Sequence, residues 1–171
     1  MIIKETKRLL IEQATLTDSD FFFTLLNSPT WLQYIGDRGI ETQQDAITYI
    51  ENSLMTSYSE HGFGLWKVSL KESGVPLGIC GFLKRDYMEH PDIGFAILPK
   101  FEGKGYMTEA AKAVLEYGKL ELGLQKVLAV TTGENQSSRQ LLATLGFKED
   151  GTIELPKTDT VFIRFAKTLD A

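Results

Sequence analysis

Between residues 92 and 132 the chain reads strand, glycine loop, helix, strand, and that order constrains the fold more than any other feature. Residues 92–98 are an extended apolar stretch closed by Pro99, which has no N–H to give to a ladder. Gly103-Lys104-Gly105 follows. Ala110, Ala111, Val114, Leu115 and Leu122 then recur at the three-and-four spacing of an amphipathic helix. Residues 127–132 are a second apolar strand. A strand–helix–strand unit pairs its two strands in parallel with a right-handed crossover. Its glycine turn also aims bare N–H groups outward, because the first N–H groups of a helix have no internal partner and the macrodipole adds positive potential there.

Around this unit the pattern is antiparallel. Residues 8–11 read as a first strand. A helix from about Asp18 carries Phe21, Phe22, Leu25 and Leu26 and ends before Pro29. Residues 31–40 read as a loop holding Trp31 and Tyr34, and a second helix spans about residues 42–57 with Thr42 as its N-cap. Residues 64–70 and 76–83 form a hairpin across Lys71-Glu72-Ser73-Gly74. The helix after the glycine loop starts near Thr108 and ends near Gly123, and a shorter one runs over residues 135–145, with Gly146 beyond its end. Strands at residues 147–149 and 161–167 complete the sheet. The expected fold is α/β (α+β): one domain over residues 1–171, with a mixed, mostly antiparallel sheet of about seven strands flanked by about four helices. No repeat, linker or low-complexity segment divides it.

Composition limits the partners. Lys and Arg number 18 against 23 Asp and Glu, a net charge of −5 that disfavours nucleic acid. No apolar run approaches the roughly 18 residues of a membrane span, and residues 1–16 lack a signal-peptide core. A cytoplasmic protein, monomer or homodimer, is expected, with no membrane partner. One cysteine, Cys80, excludes an internal disulfide, and with His61 and His90 far apart no metal cluster is legible. Two other phosphate motifs fail. A dinucleotide fingerprint needs a third glycine where Thr108 stands, and a P-loop needs a glycine where Leu98 stands.

Taken together, these residues resemble the GNAT superfamily of acetyl-CoA-dependent N-acetyltransferases. Its fingerprint, Gln/Arg-x-x-Gly-x-Gly/Ala, falls on Glu102 to Met107, with Glu102 and Met107 departing from it and Gly105 kept. Gly103-Lys104-Gly105-Tyr106-Met107-Thr108-Glu109-Ala110 resembles the RimJ/RimL branch, which acetylates ribosomal-protein N-termini and other amines. Lys7-Arg8-Leu9 with Asp18, Asp92-Ile93-Gly94-Phe95, and Asn135-x-x-Ser138 leading to Leu145-Gly146-Phe147 extend the likeness over roughly residues 6–168. The resemblance implies acetyl-CoA as co-substrate, no metal, and an amine acceptor that is a small molecule or a protein N-terminus.

It also assigns expectations to residues. N–H groups from Gly103 through Lys104, Gly105, Tyr106 and Met107 to Thr108 would cradle the diphosphate; otherwise they make a tight turn. Glu102 would weaken that binding unless its side chain turns outward, and Met107 is tolerable if it points into the core. Phe95, Ala96 and Ile97 would offer pantetheine the edge of a splayed strand and an oxyanion donor near Ile97; otherwise they belong to a buried strand. Asn135 is a helix cap and also a pantetheine contact. Ser138 would protonate the departing sulfur, since Leu142 stands where relatives place a tyrosine, or it is a surface serine. Asp92 would draw off the amine proton, with His90 as a lesser candidate, or it is an exposed strand-end carboxylate. Trp31, Tyr34 and Tyr58 would line the acceptor pocket or pack in the core. Cys80 is expected to be a packed strand residue. A non-catalytic acyl-CoA-binding module on the same fold is the alternative function.

Overall fold

The computed structural model describes residues 1–155 and 159–169. Eight strands form one sheet in the order β1-β2-β3-β4-β5-β6-β8-β7. They are β1 (Ile2–Glu5), β2 (Leu9–Glu12), β3 (Leu65–Leu70), β4 (Pro76–Leu83), β5 (Asp92–Ile97), β6 (Lys126–Thr131), β7 (Lys148–Glu154) and β8 (Val161–Thr168). Only β5 and β6 run parallel. The helices among the described residues are α1 (Ser19–Leu26), α2 (Pro29–Tyr34), α3 (Gln43–Tyr49), α4 (Thr56–His61), α5 (Tyr106–Leu120) and α6 (Gln136–Thr144).

Each face of the sheet carries its own apolar layer. Alternation sends successive residues to opposite faces. Leu65 and Ile79 meet Phe22, Leu25, Leu26, Trp31, Ala46 and Ile50 of α1 and α3 and the segments beside them. Their neighbours Trp66 and Cys80 meet Ala110, Ala111 and Val114 of α5 on the other side, together with Phe82 and Leu142. Cys80 is fully buried and its thiol is pushed up by desolvation, as a packed strand residue should be.

The sheet has one strand more than the sequence pattern shows, and the helices are more numerous. β1 is an edge strand whose single core-facing side chain is Ile3, so it carries no readable alternation. β7 extends the predicted residues 147–149 to Glu154 and is exposed along nearly its whole length. α2 lies in the segment read as a loop. Pro29, taken as the end of α1, is also the first residue of α2, where a missing N–H costs nothing. α3 begins as expected: Thr42 Oγ1 accepts from Asp45 N–H and Asp45 returns the bond to Thr42 N–H. A π-helical turn over Ile50–Met55 then carries the helical run on into α4. α5 begins at Tyr106, two residues before the expected start.

Candidate functional site

β5 and β6 share one register pair, Asp92 with Leu128, and then part. The Leu128 N–H reaches the Pro91 carbonyl at 2.9 Å, and beyond it the ladder stops. β5 meanwhile stays paired with β4 through Ile97. Leu98 N–H points to β4, bonding the Leu77 carbonyl at 2.8 Å. Backbone direction alternates along a strand, so the N–H and C=O of Ile97 and Phe95 face the gap. An unpaired edge inside a sheet is an acceptor for an extended, amide-bearing ligand.

This gap opens into a cleft of about 760 Å³. Its wall brings together Asp92, Phe95, Ala96, Ile97, Gly103, Gly105, Tyr106, Met107, Thr108, Asn135, Ser138, Trp31 and Tyr34 from four separate stretches of chain. Lys104 is the exception among the predicted site residues. It does not line the cleft, and its carbonyl is held by Arg8 Nη1 at 3.0 Å. Tyr58 also lies off the cleft wall: its hydroxyl donates to the Leu65 carbonyl and accepts from Ala14 N–H, so it ties α4 to the strands. His90 does not line the cleft either.

The loop end of the cleft is built from two left-handed residues. Gly103 has φ 76° and Gly105 φ 79°, a region that costs glycine nothing and a side chain dearly. Gly105 occupies the N-cap position of α5, and the first bond of that helix runs from Glu109 N–H to the Gly105 carbonyl at 3.1 Å. The N–H groups of Tyr106, Met107 and Thr108 thus have no partner inside the helix. Met107 is 8% exposed and packs in the α5 core layer, which accounts for a large residue at that point of the fingerprint. Glu102 is exposed at the cleft rim.

Arg8 braces this loop from β1–β2. Besides Lys104, it bonds Glu109 from Nε at 2.7 Å and from its backbone N–H at 3.0 Å, and its guanidinium lies 4.4 Å from the Tyr106 ring centre. Thr6 Oγ1 donates to the same carboxylate. Desolvation alone would raise the Glu109 carboxyl, but the Thr6 and Arg8 hydrogen bonds and the Arg8 charge outweigh it and hold the group below its ordinary value. Sequence reading matched Lys7-Arg8-Leu9 without assigning Arg8 this part.

On the far wall Asn135 caps α6. Its Oδ1 accepts from Ser138 N–H at 3.2 Å, and the amide NH2 makes no bond to another described residue. Cap and ligand contact are compatible, since the two ends of the amide act separately. Ser138 is half-buried, while Leu142, one turn on, is 1% exposed.

At the other end Asp92 is buried rather than exposed, 1% accessible, and bonded by Arg85 Nε at 2.9 Å. Burial pushes its carboxyl above the ordinary aspartate range, opposed by the charge and hydrogen bond of Arg85. Arg85 also reaches the Tyr87 hydroxyl at 3.0 Å. Asp92 was legible as a candidate; its partner, on the loop after β4, was not. Among the described residues no group of three or more His, Cys, Asp or Glu is placed to hold a metal, and no helix is long and apolar enough to cross a membrane.

A splayed parallel pair, a glycine turn at the start of the crossover helix and a cleft between them suit an extended ligand that carries a phosphate. The comparisons agree. The family described as Acetyltransferase (GNAT) domain matches residues 8–148, and the chain belongs to that family. The N-acetyltransferase YoaA of Bacillus subtilis is 28% identical over 153 residues, covering 88% of this chain and 85% of its own. Among solved structures, a GNAT-family acetyltransferase from Bacillus anthracis superposes with a TM-score of 0.81 at 24% identity, each chain covered to 99%. RimL, a ribosomal alpha-N-protein acetyltransferase solved with coenzyme A, superposes at 0.84 with 14% identity and 98% of each chain covered. The protein is an acetyltransferase of this family, and RimL shares its fold.

Proposed function

We propose that the chain acts as one N-acetyltransferase domain that moves the acetyl group of acetyl-CoA to a primary amine, a protein N-terminal α-amine or a small amine. One observation carries the reading: β5 leaves β6 after a single register pair, and the resulting gap leads to the unpartnered N–H groups at the start of α5. Those groups and the backbone of Gly103 and Gly105 suit a diphosphate. The Phe95 and Ile97 edge suits the pantetheine amides, and the Asn135 amide stands opposite.

The amine attacks the thioester directly while both are held. Positioning two reactants lowers a barrier by roughly 7–11 kcal/mol, and a backbone N–H on the gap-facing edge of β5 steadies the developing oxyanion. Ser138 gives a proton to the sulfur. The proton lost by the amine passes to Asp92, which Arg85 holds in place. An α-amine needs little help, because at pH 7 about one in ten is neutral, against about one lysine side chain in 2,500.

Release of free thiol from acetyl-CoA, followed with purified protein and a panel of peptides and amines, tests the proposal. At least one amine should accelerate thiol release and appear as its acetylated product. Saturable acetyl-CoA binding with no transfer to any amine would contradict it and favour a binding module.

A further inference from the structure

The charges lining the cleft are not evenly distributed. Among the described residues, its charged ones are Arg38, Lys84, Arg85, Asp92 and Glu102. Glu102 lies at the glycine-loop end. The register pairs of β4 and β5 set Leu83 opposite Asp92 and Gly78 opposite Ile97, so Lys84 and Arg85 follow the end of β4 that lies beside Asp92. The two ends of β5 are about 16 Å apart at roughly 3.3 Å per residue. The cations at the Asp92 end are therefore a separate feature from the phosphate-facing loop.

Arg38 lines the same cleft, and the Tyr49 hydroxyl feels its charge. Among the described residues neither Arg38 nor Lys84 has an ion-pair partner; Asp92, which lines the cleft at this end, is already bonded to Arg85, and Asp86, next in the chain, lies off the cleft wall. Trp31 lines the same cleft, is 4% exposed, and its indole Nε1–H is buried without a hydrogen-bond partner. Two unpaired cations, Arg38 and Lys84, beside a carboxylate that Arg85 already neutralises are recognition chemistry for an anion.

We propose that the acceptor is an amine that also carries a carboxylate, bound through Arg38 and Lys84 with Arg85 beside them. This rests on the acetyl-transfer reading and narrows its acceptor. The arrangement disfavours polyamines, since a second positive charge would enter a region that is already positive. It also favours the reactive state of the substrate. Neighbouring cations lower the pKa of the incoming ammonium, so a larger share of the bound amine is neutral.

The test uses four acceptors with the intact protein: Ala-Glu, Ala-Ala amide, Ala-Lys amide and spermidine. The value of kcat/KM for Ala-Glu should exceed that for Ala-Lys amide by about tenfold or more, and the preference should shrink as salt rises. In the double variant Arg38→Gln, Lys84→Gln, both at exposed positions, the preference should vanish through a higher KM for Ala-Glu, with the KM for acetyl-CoA unchanged. Equal use of all four amines, a preference for spermidine, or an unaltered preference in the double variant would overturn the acceptor class while leaving acetyl transfer intact. No thiol release with any amine would overturn both.

Discussion

Gly105→Val should raise the Kd for acetyl-CoA by about ten- to a hundredfold in a protein that still folds. Gly105 sits at φ 79°, where a β-branched residue is a steric outlier. Holding such a conformation costs about 1–3 kcal/mol, and the loop relieves it by moving. A Cβ there makes only an ordinary contact with Arg8 Nη2 at 3.4 Å, so the strain lies in the backbone, and Arg8 already grips the loop through Lys104 and Glu109. The relaxation therefore falls on the N–H groups that face the cleft. Gly123→Val supplies the control: its φ of 68° imposes similar strain just beyond the far end of α5. Titration calorimetry should find normal affinity in that variant. Unchanged affinity in a folded Gly105→Val protein would refute the role given to this loop.

Ser138→Ala should lower kcat by about a hundredfold while the KM for acetyl-CoA stays within about twofold. The variant removes only the hydroxyl. The Ser138 N–H that bonds Asn135 remains, so the α6 cap and the wall it forms persist. One turn on, Leu142 is buried and apolar and has no proton to give. A thiol has a pKa near 8.5, which makes the thiolate a fair leaving group and sets an upper limit to what any acid contributes here. Steady-state rates with saturating acceptor measure the change. An undiminished kcat, with chemistry limiting turnover, would remove Ser138 from the mechanism.

What the sequence discloses of this fold follows from how local each determinant is. The glycine turn, the Asn135 cap and the Thr42 capping box are settled within four residues, and each stands where the pattern puts it. The parallel pair is legible because a helix must lie between its strands. β1 escapes notice, and β7 is legible only over residues 147–149, because edge strands with one or no core-facing side chains show no alternation. α2 escapes because a proline that ends one helix can begin the next. The acceptor end of the cleft is hardest. Arg38, Trp31, Asp92 and the Lys84-Arg85 pair reach one cleft only through the tertiary fold, and neither the burial of Asp92 nor its tie to Arg85 has a local signature.

The gap beside β5 gives the account its central claim, and a crystal structure with acetyl-CoA bound tests it most directly. Diphosphate oxygens should lie within about 3.2 Å of backbone nitrogens in residues 103–108, with the pantetheine amides bonded along Phe95 and Ile97. A diphosphate seated on any other surface, with the β5 edge left bare, would contradict it.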